Sequence, residues 1–368
     1  MTRPLREALI RPQAISHNVE TLRGLTSAEH TLVVVKANGY GHGDVTAARA
    51  ALAGGADWLG TADIPEALAL RQAGITTPIL AWMYGPVDYV AEAYAAGIDL
   101  GVSSLKQLES VRSVASKGQP FSIHLKLDSG LGRSGADRRE WDALFQATLA
   151  AQNAGLITLV GLFTHLSGTS READADQGEV FHEGMMRARA LGLDPLINHV
   201  SASLGASESP ALAHDMVRLG VSAYGIPLTP QHEAAGLRPA MRVAAQIILV
   251  KTVSEGTGVG YGHTYRTQSE TTLALVPLGY ADGVPRSASN KGPVSINGSR
   301  FIVSGRISMD QFSVDVGNTP VSEGDWAVLW GDSAEGDPTA VEWADAADTI
   351  AYEIITRLGN RVVRVVEE

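Results

Sequence analysis

The chain has 368 residues, 45% of them hydrophobic and 19% charged, the balance of a protein built around a core and not of a disordered or membrane chain. Its 40 acidic and 29 basic residues give a formal charge of −11 with no block of Lys and Arg, which argues against a nucleic-acid or anionic-membrane surface and for a small-molecule partner. With no cysteine, a disulfide framework, a thiolate nucleophile and a Cys-based zinc site are excluded.

The first stretch, "MTRPLREALIRPQAISHNVE", is broken by charges before an apolar run of signal-peptide length, and nothing later reads as membrane-spanning, so a cytoplasmic protein is expected. The length exceeds what a single core usually supports, and predicts one larger and one smaller domain. From about residue 31 to residue 225, apolar runs of strand length alternate with alanine-rich amphipathic stretches. The predicted strands are "TLVVVKAN", "DWLGTA", "PILAWM", "DLGVS", "FSIHLKLD", "TLVGLFTHL", "LINHVSAS" and "DMVRLG". Between them lie helices such as "IPEALALRQAGI", "PVDYVAEAYAAGI" and "DRREWDALFQATLAAQNAGL", which close on Gly74, Gly97 and Gly155 as a left-handed C-cap prefers. Eight βα units in that length fit a closed (β/α)8 TIM-like barrel better than a doubly wound sheet. After about residue 235 the texture turns to longer β-rich runs, with Asn297-Gly298 in "INGSR" as a hairpin turn and residues 344–358 as one late helix. The reading is an α/β barrel over 1–235 followed by a mainly antiparallel β domain over 236–368. Packing of the extreme N-terminus on the second domain is left open.

In a parallel barrel the βα loops converge at the C-terminal ends of the strands, and the chemistry collects there. Lys36 ends the first strand, Arg133 follows the fifth, His165 ends the sixth, Ser203 follows the seventh and Arg218 lies on the eighth. Each alone has a bland explanation, as a solvated lysine, a satisfied core histidine or a capping arginine; five together point to one site. In "FSIHLKLDSG", Ser122, His124, Lys126 and Asp128 share a face that must point into the barrel or its mouth. A lysine there needs a partner or a modification: Lys126 is either an ion-pair member, with Asp128 the nearest choice, or a nucleophile. A partly desolvated Lys36 suits a Schiff base with a substrate carbonyl or with pyridoxal phosphate. A phosphate would be expected near the last strands, on the backbone N–H groups of Gly220 and Val221 and the Ser203 hydroxyl.

Nearly the whole chain resembles the bacterial alanine racemases. "VVKANGYGHG", "LDSGLGRSG", "GLFTHL", "MVRLGVSAYG", "VGYGHTY", "PLGYADG", "GRISMDQ" and "AYEI" follow in that family's order at comparable spacing. The resemblance implies pyridoxal 5′-phosphate carried on Lys36 and a two-base interconversion of L-alanine and D-alanine on an external aldimine, supplying D-alanine for peptidoglycan. Lys36 would serve one face of the substrate. Tyr261, from the second subunit of a homodimer with shared sites, would serve the other. Tyr40, Ser203, Gly220, Val221 and Tyr352 match phosphate-binding positions, and His165 matches the histidine that supports Arg218 and the tyrosine base. Arg133 matches the arginine on the cofactor's phenolic oxygen and the substrate carboxylate, which the Met309 backbone N–H would meet from the partner chain. Lys126 matches a lysine often carbamylated, which would turn a buried cation into an anion holding Arg133. Tyr280, Arg286, Arg306 and Asp310 match the substrate entrance, where the two arginines would attract a carboxylate.

Three features depart from the family pattern: Ala202-Ser203 in place of Asn-Ser, the stretch "LSGTSREADAD" with Asp174 and Asp176, and the bulky Trp82 and Met83. They bear on substrate range. A racemase of serine or of several amino acids shares every residue above, and a non-catalytic pyridoxal-phosphate carrier would leave Tyr261 and Met309 unexplained. Arg218 would face the pyridine nitrogen as a donor and leave it unprotonated, weakening the electron sink. Arg218→Glu is therefore expected to raise transamination, measured as extra quinonoid absorbance; unchanged side reactions would count against that role.

Overall fold

The computed structural model describes residues 3–85, 88–208 and 212–367. Strand β1 (Arg6–Ile10) and a helix over Pro12–Gly24 precede eight parallel strands: β2 (His30–Val34), β3 (Trp58–Asp63), β4 (Ile79–Met83), β5 (Asp99–Val102), β6 (Phe121–Lys126), β7 (Ile157–Phe163), β8 (Ile197–His199) and β9 (Met216–Leu219). These pair in the order β8-β7-β6-β5-β4-β3-β2-β9. The remaining seam is closed more sparingly, by a bridge between Ala202 and Arg218 and by the 3.0 Å bonds from Arg218 N–H to Ser201 O and from Asp215 N–H to Asn198 O. The barrel is nearly closed.

Short Val, Ile and Leu runs make these strands because both of their faces are covered: Leu32, Val33, Leu59, Ile79, Leu80, Leu100, Ile123 and Leu125 are all fully buried. The helices start where a side chain can satisfy free backbone N–H groups. Asp63 accepts from Glu66 N–H, Ser104 from Gln107 N–H and Ser170 from Ala173 N–H, as N-caps do. Gly74, Gly97 and Gly155 follow helix ends at φ of 84°, 58° and 73°. The helix expected from "PVDYVAEAYAAGI" is shorter, Val90–Ala95, and Pro86 and Val87 lie outside the described residues.

The second half adds β10 (Met241–Gln246), β11 (Leu249–Val253), β12 (Gly258–Val259), β13 (Tyr265–Arg266), β14 (Thr271–Val276), β15 (Pro293–Ile296), β16 (Ser299–Ser304), β17 (Phe312–Gly317), β18 (Trp326–Trp330) and β19 (Val363–Val366). Nine strands form one sheet, β11-β14-β17-β16-β15-β18-β10-β1-β19. It is antiparallel except where β1 runs parallel to β19. β1 thus belongs to this sheet and not to the barrel that follows it. Asn297 and Gly298 form the expected tight turn, with Ile296 opposite Ser299. The late helix is two helices, Ala340–Ala347 and Ala351–Thr356, because Asp348 adopts a left-handed φ of 56° that no right-handed helix can continue. Among the described residues no helix is long and apolar enough to cross a membrane.

The second of those helices packs on the barrel mouth at Gly41, whose φ is 85° and where a Cβ would lie 2.3 Å from the carbonyl oxygen of Ile355. Gly41→Ala combines a disfavoured φ with a backbone clash. It is expected to destabilise the protein by about 2–3 kcal/mol, measured by denaturant unfolding.

Candidate active site

β2 ends one residue short of Val35, whose N–H donates to Gly60 O at 2.8 Å. Lys36 then opens a turn in which Ala37, Asn38, Gly39 and Tyr40 all have positive φ, between 51° and 59°. Such a left-handed turn costs about 1–2 kcal/mol per non-glycine residue. It persists because its backbone is paired, Gly39 N–H to Val35 O at 2.9 Å and Gly41 N–H to Ala37 O at 3.0 Å. The Glu66 carboxylate also accepts from Ala37 N–H at 2.7 Å. The turn lets Lys36 and Tyr40, four residues apart, line the same cavity. The Tyr40 ring stacks on Tyr224 with centroids 4.8 Å apart.

That cavity, of about 520 Å³, opens at the C-terminal ends of the strands and gathers Lys36, Lys126, Arg133, His165, Ser203, Arg218, Gly220 and Tyr352 beside Tyr40. Among the described lining residues Asp174 is the sole carboxylate, and its Oδ1 is taken by Gly168 N–H at 3.0 Å. Burial, reinforced by Arg133, holds the Lys36 amine below its ordinary value against a smaller opposing pull from Glu66. Lys36 Nζ makes no hydrogen bond or ion pair among the described residues and stands 5.9 Å from the Trp82 ring. Burial and the nearby Arg218, Arg133 and Lys36 bring Lys126 down to about 8, with Asp128 opposing. Lys126 donates to Ser134 Oγ at 2.7 Å, while Asp128 accepts from the N–H groups of Gly130 and Gly132. The Lys126–Asp128 ion pair is therefore not made: Asp128 folds the loop that presents Arg133.

Arg218 is buried, with no carboxylate on it among the described residues. Its Nη1 donates to His199 O and contacts His199 Nδ1, both at 3.0 Å. Nη2 donates to Thr164 O at 2.8 Å and Val200 O at 2.7 Å, with His165 Nδ1 at 3.4 Å. Burial lowers it to about 10, and so it remains a cation. His165 is pushed down to about 3, first by burial and then by Arg218, Arg133, Lys126 and Lys36. Near neutral pH the cavity is a basin of positive potential around a neutral histidine, suited to anionic groups. Gly220 supplies the room for one. A Cβ there would meet the Tyr40 hydroxyl at 2.9 Å and Ser203 Oγ at 4.0 Å, so the missing side chain leaves a cradle between two hydroxyls. Gly220 N–H donates to Ser203 Oγ at 2.8 Å, and Val221 begins a 3-10 turn over Val221–Tyr224. A cradle for phosphate beside an unpartnered lysine fits pyridoxal phosphate.

The other expected residues lie elsewhere on the chain. Tyr261, Tyr280 and Met309 are 72%, 41% and 53% exposed, and Arg286, Arg306 and Asp310 are exposed as well. None of the six lines the cavity. They share one surface of the second half: Tyr280 N–H donates to Ser308 O at 3.1 Å, and the Tyr261 turn packs on Arg306. Asp310 is engaged by Arg361 at 2.6 Å.

A family model described as alanine racemase, N-terminal domain, matches residues 10–227, and one described as alanine racemase, C-terminal domain, matches residues 240–366. The chain belongs to the alanine racemase family. It is 47% identical to an alanine racemase of Thermobifida fusca over 98% of this chain and 97% of that one. Identity to an alanine racemase of Salinispora arenicola is 48%, over 94% of each. The crystal structure of alanine racemase from D-cycloserine-producing Streptomyces lavendulae superposes with a TM-score of 0.96 at 42% identity, covering 100% of this chain and 98% of that one.

Within this alanine racemase fold, sequence reasoning missed His199. It lies in "LINHVSAS" among other polar residues, Asn198, Ser201 and Ser203, with nothing to single it out, and only the closure of the barrel brings it to Arg218. Trp82 lines the cavity as its bulk suggested, whereas Met83 turns to a neighbouring cavity. Because His165 titrates at about 3 in the folded chain and at 6.5 in an ordinary setting, the unfolded chain binds the extra proton between those values. Its contribution to stability is present above pH 6.5 and is lost as pH falls toward 3. His165→Gln is expected to show a shallower loss of stability over that window, measured by denaturant unfolding at successive pH values.

Proposed function

We propose that this protein is an amino-acid racemase that interconverts L-alanine and D-alanine with pyridoxal 5′-phosphate, acting in the cytoplasm as a homodimer and supplying D-alanine for peptidoglycan. The observation that carries the reading is a desolvated, unpartnered Lys36 amine in one cavity with Arg133, Lys126, Arg218 and the Tyr40–Ser203–Gly220 cradle, in a chain of the alanine racemase family.

Lys36 would hold the cofactor covalently; Tyr40, Ser203, Gly220, Val221 and Tyr352 would hold its phosphate, and Arg218, backed by His165, its ring nitrogen. When bound, the cofactor supplies a conjugated ring that takes up the electron pair left on the substrate Cα. The chain's own groups do the rest. Arg133 binds the amino acid's carboxylate by charge-assisted bonds and so orients Cα. A Lys126 amine brought down to about 8 has the free-base fraction that addition to carbon dioxide requires; the new N–C bond forms with loss of one N–H proton to solvent, and the resulting carbamate anion would steady Arg133. The Lys36 amine takes or returns the α-proton on one face, and the Tyr261 phenol of a second copy does so on the other. A single base would return the proton to the side it came from.

Exposure of Tyr261, Met309, Tyr280, Arg286, Arg306 and Asp310 on one surface, outside the cavity of their own chain, supports their contribution to a second copy's site. There the Met309 backbone N–H would meet the carboxylate, and Tyr280, Arg286, Arg306 and Asp310 would line the entrance. Ala202 and Trp82 line the cavity and bear on substrate range.

The test gives the cofactor-loaded protein L-alanine in deuterated water and follows D-alanine formation and α-deuterium uptake, with serine and lysine compared. Enantiomer and label are expected to appear together. A loaded protein that forms neither is a carrier, and faster serine turnover would make it a broader racemase. Lys36→Ala and Tyr261→Phe are each expected to lose about 10²-fold or more in rate. Mixing the two should restore up to about one quarter of native activity, because half of random dimers carry one intact shared site.

A further inference from the structure

A barrel interior is ordinarily filled by layers of branched apolar side chains. Here a file of polar groups crosses it. His199 Nε2 lies 3.0 Å from His124 Nδ1, and His124 Nε2 lies 3.4 Å from Asp99 Oδ2. With the contact of Arg218 Nη1 on His199 Nδ1 at 3.0 Å, four side chains on β9, β8, β6 and β5 form one continuous line from the cavity to the start of β5. Both imidazoles are completely buried, and Asp99 nearly so.

The line has a direction. A guanidinium only donates, so His199 Nδ1 must accept and its proton must sit on Nε2. That proton points at His124 Nδ1, which must accept in turn, leaving the His124 Nε2–H to meet the Asp99 carboxylate. Arg218 at one end and Asp99 at the other thus dictate both tautomers, with both rings neutral. Burial, ahead of the Arg218 field, pushes His199 well below its ordinary value, in keeping with that state.

The barrel is shaped around these rings. Phe163 stacks on His199 at 4.7 Å and 2° between planes, and Trp58 sets its ring against His124 at 5.3 Å and 82°. The pairing of β6 with β7 slips between Ile123 and His124, bringing Gly161 opposite His124, where a Cβ would lie 2.2 Å from Nδ1. Two buried imidazoles and a buried carboxylate cost more than the apolar layer they replace. A barrel that needed only to be stable would not hold them.

We propose that His199, His124 and Asp99 are positioning residues for Arg218. The distal carboxylate polarises both rings and strengthens the acceptor at His199 Nδ1. The backbone acceptors and that nitrogen occupy both terminal nitrogens of the guanidinium, leaving Nε–H as the donor with no partner among the described residues. Arg218 is thereby fixed as a cation offering one N–H to the ring nitrogen of the cofactor. This rests on the cofactor assignment above, but the proton arrangement can be read independently of turnover.

The experiment uses the holoenzyme labelled with 15N-histidine, alongside Asp99→Asn, which keeps an acceptor without the charge, and Asp99→Leu, which removes both. Long-range 1H–15N spectra should show two rings with bare Nδ1 and protonated Nε2, and the His199 Nε2 proton should move upfield in both variants. The visible cofactor band should shift, and kcat for alanine should fall about tenfold in Asp99→Leu and less in Asp99→Asn, with KM within twofold. A His199 ring protonated on Nδ1 overturns the proposal. So do folded Asp99 variants with native spectra and native kcat. If Asp99→Leu fails to fold, Asp99→Asn and the native tautomers decide. A native protein that does not racemise would undo the functional reading and leave the tautomer result standing.

Discussion

The site depends on positive charge brought together without matching negative charge. Four cationic side chains border one cavity with one carboxylate, itself bound to backbone. Burial first, and the neighbouring cations after it, hold the Lys36 and Lys126 amines below their ordinary values. An anionic ligand relieves the repulsion on binding, and a lysine whose proton is held less tightly is the better placed to form and release an imine. Affinity and reactivity then have one electrostatic origin.

The fold keeps this arrangement from relaxing. Arg218 cannot turn toward solvent because backbone carbonyls from β8 and from the segments that follow β7 and β8 converge on it. Lys36 is held by a left-handed turn whose strain is balanced by hydrogen bonds and by the close approach of the Ala351–Thr356 helix. That helix belongs to the second half of the chain and carries Tyr352 to the cavity, while β1 inserts between β10 and β19. The second sheet is thus tied by backbone pairing to the segment that leads into the barrel.

Much of this was legible from local pattern. Eight apolar runs alternating with helical stretches predict the barrel because burial on both faces demands unbroken Val, Ile and Leu. Asn297-Gly298 predicts its hairpin through the φ that such a turn requires. The polar row on β6 predicted inward-facing groups, and His124 and Lys126 are buried as expected. The same row misled at Asp128, since strand alternation stops where the loop begins and a short carboxylate there finds backbone N–H groups before it finds a lysine. The late helix broke at Asp348 for a reason that residue type alone does not announce: the chain must turn there for Tyr352 to reach the barrel.

What the sequence determined by itself is what depends on neighbours along the chain: element type, caps, turns, and the delivery of Lys36, Arg133, His165, Ser203 and Arg218 to strand ends. What only the tertiary structure decided is which of those groups meet and in what protonation state. His199 reaches Arg218 through the closing seam of the barrel, His124 has room because β7 slips opposite it, and Tyr261 and Met309 stay exposed outside the lining of the cavity of their own chain. Periodicity is set by the geometry of one strand or helix, whereas charge, desolvation and proton position are set by whatever lies within a few ångströms in space, and that distance is fixed only when the chain is folded.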